Sequence, residues 1–287
     1  MHIAMKKTIV FFDIDGTIWD YSGFIPESAK RGIKLLKEEG HIPVICTGRS
    51  MGHVRDENLL NIGFSGIIAG CGTHVEYEGK MLYEYYLSDE ITKRIVSLSK
   101  EFRTPVVLEG RQKHWMSSFG FKHDDYVDRM KVLLKEDAVV FEEYLPEMKI
   151  NKFAGDVILA SDFEGFKRAL PGELELIYHE LGTENGIRQA KKGDDPERVL
   201  GVFEVVEKGC SKAHGMRVLC EHLGVDIKDT FAFGDSNNDI EMVEAAGVGI
   251  AMGNSSENLL KTADYVTDEL HMDGLYNALV HFGLIKD

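Results

Sequence analysis

The sequence predicts an α/β protein: a Rossmann-like, doubly wound parallel sheet interrupted by a second, α+β domain. Three observations carry this. Short apolar runs alternate with amphipathic helical patterns at both ends of the chain, and several of those runs break off in polar turns containing Asp, Asn or Gly. Between them, from about 84 to 201, the pattern changes to strand-like runs among three helical stretches. Alternating strands and helices build a parallel sheet covered on both faces, whereas the middle reads as an open antiparallel sheet backed by helices.

Residues 8–13 form the first strand. A helix from about Pro26 to Glu39 follows, because Ala29, Ile33 and Leu36 recur at helical spacing, proline suits a first turn and Gly40 a stop. A strand at 42–46, a helix over about 51–61 and a strand at 66–69 continue the alternation, and a hairpin turns at Glu78-Gly79. In the middle, strands are expected at 105–108, 115–119, 156–159, 174–178 and 199–206, with helices at 89–102, 124–135 and 162–169. Glu184-Asn185-Gly186 and Gly193-Asp194-Asp195-Pro196 read as loops. The tail repeats the opening pattern: helix 211–223, strand 230–233, helix 237–246, strands 248–251 and 264–266, helix 273–281. Residues 1–83 and 202–287 are therefore expected to form one core domain, with 84–201 inserted into it.

The chemistry sits at strand ends. The first apolar run delivers Asp13 and Asp15, followed by Gly16 and Thr17. Alternate residues of a strand share a face, so both carboxylates can point into one cleft, one to attack phosphorus and one to handle a proton. Asp-x-Asp-Gly-Thr arises by chance in a chain of this length on the order of once in several hundred. A second acidic group, Gly234, Asp235, Asn238 and Asp239, follows the run at 230–233. Read alone, it is as well explained as a helix cap as a ligand set. Together, one carboxylate from each strand could hold a hard divalent cation such as Mg2+. Thr47, Gly48 and Arg49 follow a third strand, where a hydroxyl and freed amides could hold a phosphoryl oxygen. Ser211 and Lys212 open a helix, and Lys212 could neutralise Asp13 and the transferring group, although a lysine at such a position is ordinarily solvated. In open α/β sheets ligands bind beyond the strands' carboxyl ends where the winding direction switches, and Asp13 and Asp235 both emerge there.

Asp13-Ile14-Asp15-Gly16-Thr17, Thr47-Gly48-Arg49, Lys212 and Gly234-Asp235-x-x-Asn238-Asp239 resemble the haloacid dehalogenase superfamily, specifically its Cof-like phosphatase branch (subclass IIB). Ala251-Met252-Gly253-Asn254 resembles that branch too. The resemblance implies that Asp13 is the nucleophile, forming an aspartyl-phosphate, and that Asp15 is general acid and then base. It implies that Thr47 and Lys212 bind the phosphoryl group with Asn238 supporting them. Mg2+ would be held by Asp13, the Asp15 backbone carbonyl and Asp235, with Asp239 in support. The inserted domain would be a cap that closes over the active site and sets specificity. One departure stands out: where relatives usually place Asn-Gly after the third strand, this chain has Cys71-Gly72-Thr73. The implied function is a Mg2+-dependent phosphatase acting on a small phosphorylated metabolite, with sugar phosphates the leading class. A phosphomutase and a non-catalytic phospho-metabolite sensor are the alternatives. Halide displacement needs neither an acid at position 15 nor the Asp235 cluster.

The physical logic is charge cancellation. A phosphate dianion repels an anionic nucleophile, so attack by Asp13 needs a cation, Lys212 and helix-start amides to offset the charge. Asp15 is expected to be protonated near neutral pH through burial and neighbouring carboxylates.

Composition narrows the class. The chain has 287 residues, 44% hydrophobic and 28% charged, enough for a core domain and a smaller second one. A net charge of −15 argues against nucleic-acid or anionic-membrane partners. No apolar stretch approaches the ~18 residues of a membrane span, and the first residues lack the apolar core of a signal peptide. The four cysteines (46, 71, 210 and 220) form no Cys-x-x-Cys pair and read as buried thiols of a reducing compartment. A cytoplasmic protein, monomeric or weakly dimeric, is expected. The eleven histidines show no zinc-like grouping and read as surface or core residues. Arg111, His114, Trp115, Lys122, His123 and Arg188 could each face a substrate, yet a solvated surface role is the commoner one for every one of them and none is assigned.

Overall fold

A computed structural model describes residues 7–20, 22–121, 125–180 and 195–286. Lys122, His123 and Arg188, and the loops read at 184–186 and 193–194, lie outside the described residues. The chain divides into two compact units, one formed by Met1–Arg49, Val54–Glu84 and Cys210–Asp287, the other by Ser50–His53 and Tyr85–Gly209.

The first unit opens with β1 (Ile9–Phe12), α1 (Glu27–Glu38), β2 (Ile42–Cys46), α2 (Glu57–Leu60), β3 (Gly66–Ala69), β4 (His74–Tyr77) and β5 (Lys80–Glu84). The second unit contributes α3 (Asp89–Glu101), β6 (Val106–Glu109), β7 (His114–Ser117), α4 (Asp125–Leu134), β8 (Ala138–Phe141), β9 (Lys152–Ile158), α5 (Phe163–Ala169), β10 (Leu174–Glu180) and β11 (Val199–Glu207). The chain then returns to the first unit with α6 (Lys212–Leu223), β12 (Phe231–Gly234), α7 (Ile240–Ala245), β13 (Val248–Ala251), α8 (Glu257–Thr262), β14 (Tyr265–Val266) and α9 (Gly274–His281).

In the first unit eight strands lie in the order β14-β13-β12-β1-β2-β3-β4-β5. The six from β14 to β3 are parallel, and the β4–β5 hairpin adds two antiparallel strands at one edge. β1 is apolar at every position because it is covered on both sides. Val10 and Phe12 join the apolar cluster with Ile33 and Leu36 of α1 and Leu275 and Leu279 of α9. Ile9 and Phe11, on the opposite face, join the cluster with Met216 and Leu219 of α6. Each such buried side chain stabilises the fold by roughly 2–3 kcal/mol relative to exposure. The sheet grows from β1 through β2 to β3 on one side and from β12 through β13 to β14 on the other, so the winding switches between β1 and β12. Their registered ends, Phe12 opposite Phe233, leave Asp13 and Asp235 as neighbours. The Asp13 amide donates to Phe233 O at 2.9 Å.

The second unit is a six-stranded sheet, β10-β11-β9-β6-β7-β8. One face carries a cluster of Leu108, Trp115, Phe153 and Phe203 with Ile95 of α3 and Phe166 of α5. The other carries Val107 and Met116 against Val127, Met130 and Leu134 of α4.

Four expectations need correction. β8 was not anticipated, because its four residues follow a helical pattern almost without a turn, and it pairs with β7 in parallel, so the sheet is not wholly antiparallel. The helix expected over 51–61 is a 3-10 turn at Met51–His53 and the short α2, whose N-terminus is set by the Asp56 carboxylate accepting from the Asn58 and Leu59 amides. The boundary expected at 201 falls inside β11, which stays paired to β10 as far as Glu207 opposite Leu174. Of the cysteines, Cys46 and Cys220 are buried, but Cys71 and Cys210 are only partly so; all four are free thiols. Among the described residues no helix is long and apolar enough to cross a membrane.

Candidate active site

Four loops of the first unit converge at the ends of β1, β2, β3 and β12. The turn after β1 passes over the end of β12 so closely that a side chain at Gly16 would put its Cβ 2.2 Å from Asp235 Oδ2, and Gly16 has φ +76. Only glycine meets both demands. Asn254 fastens the same turn, its Nδ2 donating to Gly16 O at 3.0 Å while its Oδ1 accepts the Leu270 amide at 3.1 Å.

Lys212 stands at the centre. Ser211 caps α6 by accepting the His214 amide, which fixes Lys212 as the first helical residue, and the side chain is turned inward and buried. Its Nζ donates to Asp13 Oδ1 at 2.6 Å, to Asp239 Oδ1 at 2.5 Å and to Asn238 Oδ1 at 3.4 Å. Burial alone would pull a proton from this ammonium, but the Asp13 and Asp239 carboxylates outweigh that and hold it protonated well above the usual lysine range.

Asp13, Asp235 and Asp239 are all buried and offer carboxylate oxygens within 4.8 Å of one another. Their tasks differ. Asp239 is occupied on both oxygens, Oδ1 by Lys212 and Oδ2 by the amides of Asp235 and Ser236 at 3.0 Å each. Asp235 Oδ1 is buried and makes no hydrogen bond among the described residues. Burial, then the Asp239 charge, pushes the Asp235 carboxyl up to about 7, and the same two causes raise Asp13 well above the carboxylate range despite Lys212. Three buried carboxylates share one ammonium, so two negative charges are uncompensated when all are ionised. An unsatisfied carboxylate oxygen beside an excess of anionic oxygen suits a hard divalent cation, and Mg2+ fits Asp13 and Asp235 better than the fully engaged Asp239.

Asp15 differs from expectation. It is half-buried, and burial pushes its carboxyl up, yet the Arg49 guanidinium forks onto it and the Trp19 indole donates to it, together holding it below the usual range. Arg49 Nε reaches Oδ2 and Nη2 reaches Oδ1, both at 2.7 Å, and Trp19 Nε1 lies 3.0 Å from Oδ1. The guanidinium also lies over the Trp19 ring, 5.0 Å from its centroid. Asp15 is thus an ionised carboxylate here, because a nearby bidentate cation outweighs the burial and like charges that were weighed from sequence. Trp19 was not singled out from sequence; the signal was a half-polar ring one short turn after an Asp-Gly, whose N–H needs an acceptor when buried.

Thr47, Gly48, Lys212 and Asn238 also come together. Thr47 is buried and its Oγ1 accepts the Arg49 amide at 3.1 Å. A Cβ on Gly48 would lie 3.6 Å from both Asn238 Nδ2 and Cys71 Sγ, so the loops after β2, β3 and β12 meet there. In the loop after β3, Gly70, Cys71 and Gly72 are all left-handed, and a Cβ at Gly72 would be 2.1 Å from Ser211 O. That loop therefore lies against the helix start that holds Lys212.

A parallel sheet whose switch point carries two aspartates, a buried lysine and an acidic turn defines a phosphoryl-transfer hydrolase of the superfamily that the motifs resemble. The model of the haloacid dehalogenase-like hydrolases matches residues 10–279, and the chain belongs to that family. It is a phosphatase of this kind, in the Cof-like branch. A Bacillus subtilis protein provisionally named as a phosphatase, YkrA, is 31% identical over 98% of this chain and 100% of its own. The crystal structure of a hypothetical protein from Geobacillus kaustophilus, 29% identical, superposes with a TM-score of 0.78 over 98% of this chain and all of that one. The subclass IIB sugar phosphatase BT4131, at 22% identity, shares the fold with a TM-score of 0.74 over 97% of this chain and 100% of its own.

Cys71 has φ 54, a conformation that costs a cysteine on the order of 1 kcal/mol and that asparagine tolerates better. Its thiol contact with Gly48 O is a weak one at 4.0 Å. Cys71→Asn should therefore raise unfolding free energy by about 0.5–1 kcal/mol in chemical denaturation; a loss of that size would show that the thiol's packing outweighs the backbone strain.

Proposed function

We propose that this protein is a Mg2+-dependent phosphatase of small phosphorylated metabolites, with sugar phosphates the leading class, working through an aspartyl-phosphate on Asp13. The observation that carries the proposal is the charge imbalance around Lys212: three buried carboxylates, one ammonium and an unsatisfied Asp235 oxygen. Such a site cannot accept a phosphate dianion until further positive charge arrives. Mg2+ held by Asp13, Asp235 and the Asp15 backbone carbonyl would supply that charge. The sugar phosphatase among the structural neighbours supports the substrate class, and the free thiols suit a cytoplasmic setting.

In the first half-reaction an Asp13 carboxylate oxygen attacks phosphorus while the bond to the ester oxygen breaks, and Asp15 gives its proton to the departing alkoxide. In the second, Asp15 takes a proton from water, which attacks the phosphorus of the acyl phosphate and returns Asp13 as a carboxylate. Thr47, the Gly48 amide and Lys212, with Asn238 beside it, bind the non-bridging oxygens. Asp15 enters this sequence as an acid only when Arg49 lets go of it. A phosphate dianion is the stronger anion for a guanidinium, so substrate arrival draws the fork away from Asp15 and lets its pKa rise.

Three outcomes test the reading. Asp13→Asn should lower phosphate release from a panel of phosphomonoesters by at least about a thousandfold. Its melting temperature should hold or rise, because one of three crowded carboxylates loses its charge. Normal turnover in this variant rules out Asp13 as the nucleophile, and an inert wild type across the panel favours a sensor.

Mg2+ binds ionised Asp235, whose pKa lies at about 7 without metal. Asp13, the other carboxylate that would hold the ion, is raised as well, so affinity measured by calorimetry should fall by at least about tenfold per pH unit below 7, with proton release on binding. A flat profile from pH 5 to 8 would show that Asp235 is already ionised.

Arg49→Met frees Asp15, so its pKa moves up and the alkaline limb of kcat/KM should shift to higher pH than in the wild type. An unmoved limb removes Asp15 as the titrating acid.

A further inference from the structure

A second group of metal-binding side chains lies wholly within the other unit. Glu109 ends β6 and His114 begins β7, and the two are directly opposed across the antiparallel pair, so the carboxylate and imidazole rise from the same face. The 3-10 turn Met51–His53 brings a second imidazole and the Ser50 hydroxyl to them. His53 Nδ1 is 3.7 Å and His114 Nε2 is 3.8 Å from the same oxygen, Glu109 Oε2. The two rings are 4.3 Å apart between centroids, and Ser50 Oγ lies 2.8 Å from His114 Nε2. All four residues are at most 5% exposed. The approach is close enough that a Cβ on Gly52 would lie 2.4 Å from His114 Cε1.

We propose that His53, Glu109 and His114 bind one first-row transition-metal ion of the Zn2+ type, with Ser50 Oγ or a water completing the set. Two imidazoles and a carboxylate are a borderline-soft donor set that prefers Zn2+, Co2+ or Ni2+ to Mg2+, unlike the all-oxygen site at Asp13 and Asp235. Ligand atoms about 2.0–2.1 Å from a tetrahedral ion stand roughly 3.3 Å apart; the two nitrogen–oxygen separations at Glu109 are within about half an ångström of that, and the three ligand atoms all lie within 4.8 Å of one another. Charge points the same way. Lys152, which faces Glu109 from β9, has its ammonium 2.9 Å from Glu204 Oε2. A buried carboxylate beside two imidazoles gains from a dication. The three ligands come from a hairpin and from a turn that follows Arg49 directly in the chain, so an ion here would clamp that turn to β6 and β7.

The full-length protein, stripped with EDTA and returned to excess Mg2+, is titrated with Zn2+ by calorimetry and with Co2+ by visible absorption. Expected are about one equivalent bound in the Asp235→Asn background, where the aspartate site is disabled, and an intense four-coordinate Co2+ spectrum. Glu109→Gln and His114→Gln should each weaken Zn2+ binding by about tenfold or more and abolish that spectrum. No binding in the Asp235→Asn background, or binding that Glu109→Gln leaves unchanged, overturns the proposal. Should both ligand variants fail to fold, the wild type decides: histidine side-chain NMR must show two imidazoles perturbed by one equivalent of diamagnetic Zn2+, and unperturbed imidazoles overturn it. None of these readouts depends on phosphatase turnover, so failure here leaves the reading of the Asp13 site untouched.

Discussion

The constraint on which the first unit turns is the burial of Lys212 among more carboxylates than it can neutralise. Removing an ammonium and three carboxylates from water costs several kcal/mol per ion, and mutual attraction recovers this only in part when the signs do not balance. Such a cluster is not a device for stability. It persists because strands apolar on both faces, β1 above all, supply enough buried area to hold their polar ends where the loops require them. The uncompensated charge follows from topology: two parallel neighbours, β1 and β12, must discharge their chains at the same edge, and each discharges an aspartate.

Within that cluster hydrogen bonds assign the tasks. Asp239 is spent on Lys212 and on the turn after β12, so it fixes the lysine and the backbone of Asp235. Asp235 retains a buried oxygen with no hydrogen bond, and Asp13 lies under the lysine at the end of β1. Three residues of one chemical type thereby become a support, a cation holder and a nucleophile in the proposed reaction. The difference lies in the groups that surround them and not in their own chemistry.

The core sheet was largely legible in the sequence. A strand covered on both faces must be apolar throughout, and β1, β2 and β3 are read that way directly; the hairpin at Glu78-Gly79 follows from its turn residues. The motif residues Asp13, Thr47, Lys212, Asn238 and Asp235 could be brought to one edge by the same reasoning, since each follows a strand or opens a helix. What could not be read was side-chain partnership between distant segments. Arg49 stands in a turn where only the Thr47 hydroxyl and freed amides carry a reading from sequence, yet its guanidinium finds Asp15, 34 residues earlier. The histidines looked scattered because His53 and His114 share neither a helix nor a strand, and only the tertiary approach of a 3-10 turn to a hairpin makes them neighbours. β8 was lost for a local reason: four apolar residues only a three-residue 3-10 turn after an amphipathic helix have no period of their own to announce a strand.

The two aspartates of the opening motif show how ligands complete the charge state. Asp13 is pushed toward the neutral form by burial and by Asp239, whereas Asp15 is held ionised by Arg49. The proposed reaction needs the reverse, an anionic nucleophile and a protonated acid. A divalent cation beside Asp13 lowers its pKa, and a phosphate dianion that competes for Arg49 raises that of Asp15, so cation and substrate together invert both groups. With only one ligand present, one of the two aspartates remains in the wrong protonation state. The wrong pairing of charges in the ligand-free site is then a barrier to attack by Asp13 until both ligands are bound, because each aspartate is released by a different one.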